Sequence, residues 1–324
     1  MSAVAIDARD AFIEPLRGWG RYARDLIGHL PPDLETRVFE QGDVGPEVWF
    51  EQVTLPRALR REGAALVHAT NCFLPLRRPC PGVVTIHDLA FEAHPGDFAR
   101  TTGAKYRFFA PRAARGAQRV ICVSEYTAGD VVRRYGVDTA RIRVIPNAPS
   151  LPILTGPAHP AADGPPYLLA VGDLRAKKNL RRLVDAWREL KTGHRLVLAG
   201  LGEMAGLPAG VEAVGYVDDE RLDALMRGAD VLVHPSLYEG FGLVVLEAMA
   251  RGVPVAAADA TALPETGGDA AVYFDPLDAA AIARGIQEAL QARDDLAVRG
   301  RARAAQFSWR RTAEETAAVY RELL

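Results

Sequence analysis

Glu239-Gly240-Phe241-Gly242-Leu243-Val244-Val245-Leu246-Glu247 is the stretch on which the reading of this 324-residue chain turns. It follows an apolar run, residues 231–234, and the turn Pro235-Ser236, and it leads into Ala248-Met249-Ala250. Its glycines therefore fall where a strand gives way to a helix. The open amides and positive dipole end of a helix N-terminus suit a phosphate, and glycine lets a ligand approach the backbone. Glu247 is the awkward residue, because a carboxylate among Val, Leu, Ala and Met is costly to bury without partners. Sugar or ribose hydroxyls would supply them; equally, Glu239 would merely cap the helix while Glu247 pairs with a structural arginine.

Outward from this segment, short apolar runs alternate with segments of helical period, which predicts parallel βαβ construction. Strands are expected at residues 3–6, 66–68, 83–86, 120–123 and 142–145, then at 167–171, 196–199, 231–234 and 253–256. Between the two sets, residues 147–166 carry prolines at 149, 152, 157, 160, 165 and 166, so neither helix nor central strand can run through them. The expected organisation is an N-terminal Rossmann-like domain at 1–148, a linker at 149–165 and a C-terminal Rossmann-like domain at 166–309. A final helix, opened by the Ser308 cap, is expected to pack residues 310–324 back on the first domain. Two α/β domains with parallel sheets facing an interdomain cleft would place the carboxyl ends of both sets of strands beside the ligands.

Other constellations cluster at such strand ends. Gly172-Asp173-Leu174-Arg175-Ala176-Lys177-Lys178-Asn179 joins a strand to a helix, and its basic groups suit a diphosphate, lysine as a point charge and arginine as a fork. A basic loop of this kind is more often solvated surface. Gly18 and Gly20, within Arg17-Gly18-Trp19-Gly20-Arg21-Tyr22, open the first helix and would let the first domain's backbone approach a ligand, although tight turns look the same. His87, before Asp88 at a strand end, is positioned for a reacting centre or for a bond to nearby backbone. From Phe98 to Ser124 there is no acid, while Arg100, Lys105, Arg107, Arg112, Arg115 and Arg119 are interleaved with Tyr106, Phe108 and Phe109. That stripe reads as a solvated helix face or as a peripheral contact with anionic membrane.

Composition narrows the classes. The net charge of -2, with only a modest asymmetry between the two halves, does not describe a nucleic-acid binder. Cys72, Cys80 and Cys122 are an odd set without CxxC spacing, so neither a disulfide framework nor a zinc site is expected, and a reducing cytoplasm fits. No basic n-region precedes the first apolar run and no apolar stretch nears the ~18 residues of a span. A hydrolase elbow, a Walker A loop and an HExxH helix are all missing from the sequence.

With these residues in view, the chain resembles the retaining GT-B glycosyltransferases with an E-x7-E motif, the family 4 or "glycosyl transferases group 1" type. The resemblance is strongest over His234–Pro254 and is supported by Val171–Leu180, Leu263-Pro264-Glu265, Gly18–Tyr22, Thr85–Leu89 and Pro146-Asn147. It departs from the usual pattern at Lys177, where arginine is common, at Arg175, where glutamate often stands, and at Ala148-Pro149. The resemblance implies a nucleotide-diphosphate sugar, GDP or UDP type, lying on the second domain. Glu247 would take the ribose hydroxyls, and Glu239 would lie close to the transferred sugar. Gly240, Phe241, Gly242 and Leu243 would touch the sugar or its phosphates, Lys178 and Arg175 the diphosphate, and residues 215–217 the base; Gly18 and Gly20 complete the donor-binding set, with His87 and Glu239 as the catalytic pair. It also implies transfer to a glycan, lipid-linked or small-molecule acceptor, no metal or other cofactor, and a cytoplasmic enzyme at the inner face of the membrane. The alternative class is a catalytically silent nucleotide-sugar-binding subunit of a glycan assembly complex.

Overall fold

The computed structural model describes residues 3–12, 16, 18–40, 46–154, 165–202 and 204–324. Arg17 and the middle of the expected linker, 155–164, lie outside the described residues. The chain forms two compact units, Met1–Ala148 with Ser308–Leu324, and Pro149–Phe307.

In the first unit β1 (Val4–Asp7), β2 (Thr36–Phe39), β3 (Leu66–Ala69), β4 (Gly82–Ile86), β5 (Arg119–Cys122) and β6 (Ile142–Val144) form one parallel sheet, in the order β2-β1-β3-β4-β5-β6. Parallel sheets are covered on both faces, so their central strands are apolar throughout. Val4, Ile6, Leu66, Val83 and Ile121 form one core with Val319 and Tyr320 of the helix Trp309–Arg321. Ala5, Val67, Val84, Ile86 and Val120 belong to the core of the opposite face.

The helix Trp309–Arg321 is capped by Ser308, whose Oγ accepts from the Arg311 amide, and its Thr312 hydroxyl donates to the Pro146 carbonyl at 2.7 Å. A buried polar chain fastens it further. His68 Nδ1 lies 2.6 Å from the Tyr320 hydroxyl and Nε2 2.8 Å from Thr85 Oγ1, which is 3.0 Å from the Tyr22 hydroxyl. Every member is buried, so each bond satisfies a group that would otherwise be stranded.

In the second unit β7 (Tyr167–Val171), β8 (Arg195–Ala199), β9 (Val211–Gly215), β10 (Val231–His234), β11 (Val255–Ala258) and β12 (Val272–Phe274) form a second parallel sheet, in the order β12-β11-β10-β7-β8-β9. The direction of winding reverses between β7 and β10, as it does between β1 and β3 in the first unit. The crevice beyond the carboxyl ends at such a reversal is where open α/β sheets take their ligands.

All nine expected strands are present, with ends shifted by at most two residues. Three more, β2, β9 and β12, were not expected, and all three are sheet edges. An edge strand keeps part of its surface in solvent, and Thr36–Phe39, with Thr36 and Arg37, and Val211–Gly215, broken by Glu212, carry no long apolar run. The basic stripe lies mostly on the helix Arg100–Gly116. Lys105 is absorbed by Glu47 and Glu51, at 2.6 and 2.8 Å, and Arg115 Nε donates to the Tyr135 carbonyl. Arg107 and Arg112 stay exposed, and the Arg112 guanidinium lies 3.8 Å from the centre of the half-exposed Phe108 ring. No helix among the described residues is long and apolar enough to cross a membrane.

Burial holds the His68 imidazole far below its ordinary 6.5, at about 3. The unfolded chain takes up a proton near 6.5 that the folded chain refuses until about 3, so stability rises with pH across that window. His68→Gln is expected to remove about 1.4 kcal/mol per pH unit from the acid sensitivity of unfolding within it. Denaturant titrations at several pH values check this; identical slopes in the two proteins would mean that His68 does not carry the effect.

Candidate active site

The loop leaving β7 passes through a 3-10 turn, Ala176–Lys178, which Asn179 closes at φ 58° before the helix Leu180–Glu189 begins. Asparagine enters the left-handed region more readily than most residues. Its side-chain amide donates to the Pro235 and Pro276 carbonyls, at 3.1 and 2.7 Å, and the Leu237 amide donates to the Lys177 carbonyl at 2.7 Å. These bonds hold the β7 loop against the segment that follows β10, with Lys178 directed at Glu239.

Lys178 Nζ stands 2.6 Å from Glu239 Oε1, and Nε2 of His234, the last residue of β10, stands 3.1 Å from the same oxygen. Oε2 has no hydrogen-bond partner among the described residues. The backbone of Glu239 is fixed as well, its amide donating to Thr261 Oγ1 at 3.0 Å. Burial pushes the Glu239 carboxyl up, but the Lys178 charge and the His234 bond, helped by Lys177, outweigh it and hold the group well below its ordinary range. Burial pushes His234 down, and the pull of Glu239 does not restore it. The pair is therefore a carboxylate accepting from a neutral imidazole N–H and from an ammonium.

The glycine segment lies next in the chain. Gly242 sits at φ 103°, and a Cβ there would come 2.8 Å from Leu263 Cδ2, so both conformation and space demand glycine. Its carbonyl accepts from the Val245 amide at 3.0 Å and starts the helix Leu243–Ala250, whose first amides have no partner within the helix. Phe241 is buried edge-on against Phe307, and its carbonyl accepts from the Thr266 hydroxyl, which fixes the backbone of Gly240, Gly242 and Leu243 on either side. Glu239 does not cap this helix, which has no side-chain cap. Glu247 is 5% exposed and accepts the Leu151 amide at 3.1 Å.

Arg175 stands at the start of the 3-10 turn in the same β7 loop. It lines a groove of about 610 Å³ with Leu174, Asn179, Arg182, Met204 and Leu237, which Lys178 and Glu239 do not line, and it leans 3.8 Å from Asp173. Gly18, Gly20 and His87 belong to the first unit. Gly18 is exposed, with open space where a Cβ would stand. Gly20 serves packing: a Cβ there would lie 2.3 Å from the Asp10 carbonyl oxygen. His87, just beyond β4, donates from Nε2 to the Thr70 carbonyl at 2.8 Å and stacks on Trp19 with ring centres 5.9 Å apart. Burial keeps this imidazole below its ordinary value, against the smaller opposing effect of Thr70.

Three residues outside the expected site set join it, Lys177 having been noted only as a basic member of the β7 loop. His234 stood within the quoted motif, and its place at a strand's carboxyl end next to a winding reversal was the available signal. Lys177, buried and 6.0 Å from the centre of the Tyr238 ring, adds positive charge beside Glu239. Thr261 adopts φ 56°, a conformation that a β-branched residue rarely takes and that no sequence pattern announces. Among the described residues no three His, Cys, Asp or Glu side chains converge as metal ligands.

Removing one member of a mostly buried pair strands the other. Lys178→Met is expected to cost about 3 kcal/mol of stability, and adding Glu239→Gln to recover most of it. Thermal or urea unfolding of the two single variants and the double variant checks this, and strictly additive losses would show that the groups are uncoupled.

Comparison with known proteins gives a consistent assignment. A family model described as "Glycosyl transferases group 1" matches residues 156–306, and one described as "Glycosyltransferase Family 4" matches residues 18–150. The chain is 32% identical to O-antigen chain mannosyltransferase B of Escherichia coli over 299 residues, 82% of this chain and 76% of that protein. Among solved structures, sucrose-phosphate synthase from Thermosynechococcus elongatus superposes with a TM-score of 0.78 at 24% identity, covering 100% of this chain and 99% of the other. Anabaena HepE, in complex with UDP and glucose, superposes with a TM-score of 0.74 at 20% identity, covering 99% of this chain and 100% of the other. Likeness at those identities concerns the fold, which is GT-B.

Proposed function

The chain belongs to the glycosyltransferases of the family 4 and group 1 type, and from that membership we propose that it transfers a mannose- or glucose-type hexosyl group from a nucleoside-diphosphate sugar to a hydroxyl of a glycan, lipid-linked or small-molecule acceptor, with retention and without a metal. The observation that carries the reading is the Lys178–Glu239 bond, formed where the winding of the second sheet reverses. An ammonium, a fixed carboxylate and the open amides of a glycine-led helix suit a diphosphate joined to a polyhydroxyl ring. The E. coli mannosyltransferase and the glucose in the HepE complex support a hexosyl donor.

In this mechanism the diphosphate lies at the N-terminus of the helix Leu243–Ala250, and Lys178 balances its charge. Glu239 Oε2 accepts from a sugar hydroxyl, while Lys178 and His234 hold Oε1. Glu247 accepts from the ribose hydroxyls. As the bond from the anomeric carbon to the phosphate oxygen breaks, that oxygen takes the acceptor's proton. The acceptor oxygen then bonds to the anomeric carbon on the same face, so no protein nucleophile is needed. Positioning and charge stabilisation are the protein's contribution. His87, in the first unit, is a neutral imidazole whose Nε2 proton is committed to Thr70.

A ligand that prefers the native state raises its melting temperature. Either GDP or UDP is expected to do so ahead of ADP and TDP, with the same shift in EDTA as with magnesium. With the matching sugar donor and an acceptor, nucleoside diphosphate is released, and Lys178→Ala and Glu247→Ala lose at least about 100-fold of that turnover, in line with the removal of a preorganised electrostatic group. Binding without release would assign the chain to the silent subunits; wild-type turnover in either variant would remove these residues from the mechanism.

The exposed Arg107 and Arg112 around Phe108 support peripheral contact with anionic membrane. Cosedimentation with vesicles containing phosphatidylglycerol is expected to fall when both arginines are changed to glutamate. Unchanged sedimentation would return the stripe to a solvated face.

A further inference from the structure

Glu247 is held by the chain's own backbone. Its Oε1 accepts the Leu151 amide at 3.1 Å, from the segment that opens the second unit. That segment is gripped from its other side by Arg251, the residue that ends the helix Leu243–Ala250. Arg251 Nη2 donates to the Leu151 and Pro152 carbonyls, at 3.1 and 2.6 Å, and Nη1 to the backbone carbonyl of Glu247 at 2.8 Å. Its Nε donates to Asp223 at 2.8 Å, and Asp223 takes a second bond of 2.8 Å from Arg227. The Arg251 side chain is fully buried, so this planar fork has one arrangement and sets where the Leu151 amide stands.

A carboxylate carries two oxygens and about four acceptor directions, all in its own plane. The Leu151 amide takes one of these directions and constrains the plane. Two hydroxyls on adjacent carbons need two acceptor directions at once, which a freely turning carboxylate supplies only after losing rotational freedom.

We propose that the Leu151 amide, positioned by Arg251, sets the Glu247 carboxylate to receive both ribose hydroxyls and so makes the site select ribonucleotide over 2'-deoxyribonucleotide donors. The inference rests on the reading of Glu247 as the ribose ligand. Leu151 and Arg251 are positioning residues; neither touches the nucleotide. Buried amides are satisfied as a rule, but an amide that served burial alone would have no effect on which pentose binds.

The test compares GDP or UDP, whichever shifts the melting temperature more, with its 2'-deoxy counterpart, by calorimetric titration. The wild-type protein is expected to bind the ribonucleotide about tenfold more tightly, the worth of a hydrogen bond to a charged group. Leu151→Ala keeps the amide and retains the preference; Leu151→Pro removes the amide and reduces it to about twofold or less. A preference kept in full by Leu151→Pro overturns the inference while leaving Glu247 in place. No preference in the wild-type protein overturns the ribose reading itself.

If Leu151→Pro does not fold, hydrogen exchange of the wild-type protein decides. By reciprocal coupling, the ribonucleotide slows exchange of the Leu151 amide more than the 2'-deoxy analogue does. Equal protection by the two nucleotides overturns the proposal.

Discussion

A carboxylate stays ionised in a nearly dry pocket only when a cation compensates it at hydrogen-bond distance, and the second unit is arranged so that Lys178 does this for Glu239. The two residues are far apart in the chain and come from strand ends on opposite sides of a winding reversal. Their meeting depends on Asn179, whose left-handed backbone ends the β7 loop and whose amide reaches the loops after β10 and β12. It depends also on His234, which stays neutral and can therefore donate without adding a second charge. Loosening any of these contacts leaves a buried charge uncompensated.

The nine residues from Glu239 to Glu247 contain two carboxylates held by different means. Glu239 is held by an ammonium and an imidazole, both side chains, and the proposed diphosphate would compete for the first of them. Glu247 accepts a backbone amide, that of Leu151, whose carbonyl is in turn bound by a buried guanidinium. One carboxylate is thus tied to side-chain charge and the other to the backbone.

What was legible in the sequence follows from burial. Tyr167–Val171 and Val231–His234 are covered on both faces and read as unbroken apolar runs; Thr36–Phe39 is an edge strand with its pattern diluted by solvent-facing residues, and it escaped notice. The glycines of the site were visible, but their reasons were not. Gly242 needs its positive φ and the space taken by Leu263, whereas Gly20 is required by a carbonyl ten residues earlier in the chain. Lys178 could be placed opposite Glu239 because both occupy strand ends. The groove that Arg175 lines with Leu174 and Met204, and the strained Thr261 beneath the Glu239 amide, depend on side-chain directions and backbone angles that residue types do not encode.

The helix Trp309–Arg321 belongs to the first unit although it follows the whole of the second in the chain. On the ribosome, residues 149–307 are therefore synthesised before Val319 and Tyr320 exist, and until then the face formed by Val4, Ile6, Leu66 and Val83 is covered only in part, by residues such as Ile27 and Leu30. The N-terminal unit of this topology completes its core last, against the usual order of synthesis. A translation product cut short after residue 307 would carry a whole second unit beside a partly bare apolar sheet face, the kind of surface that chaperones bind.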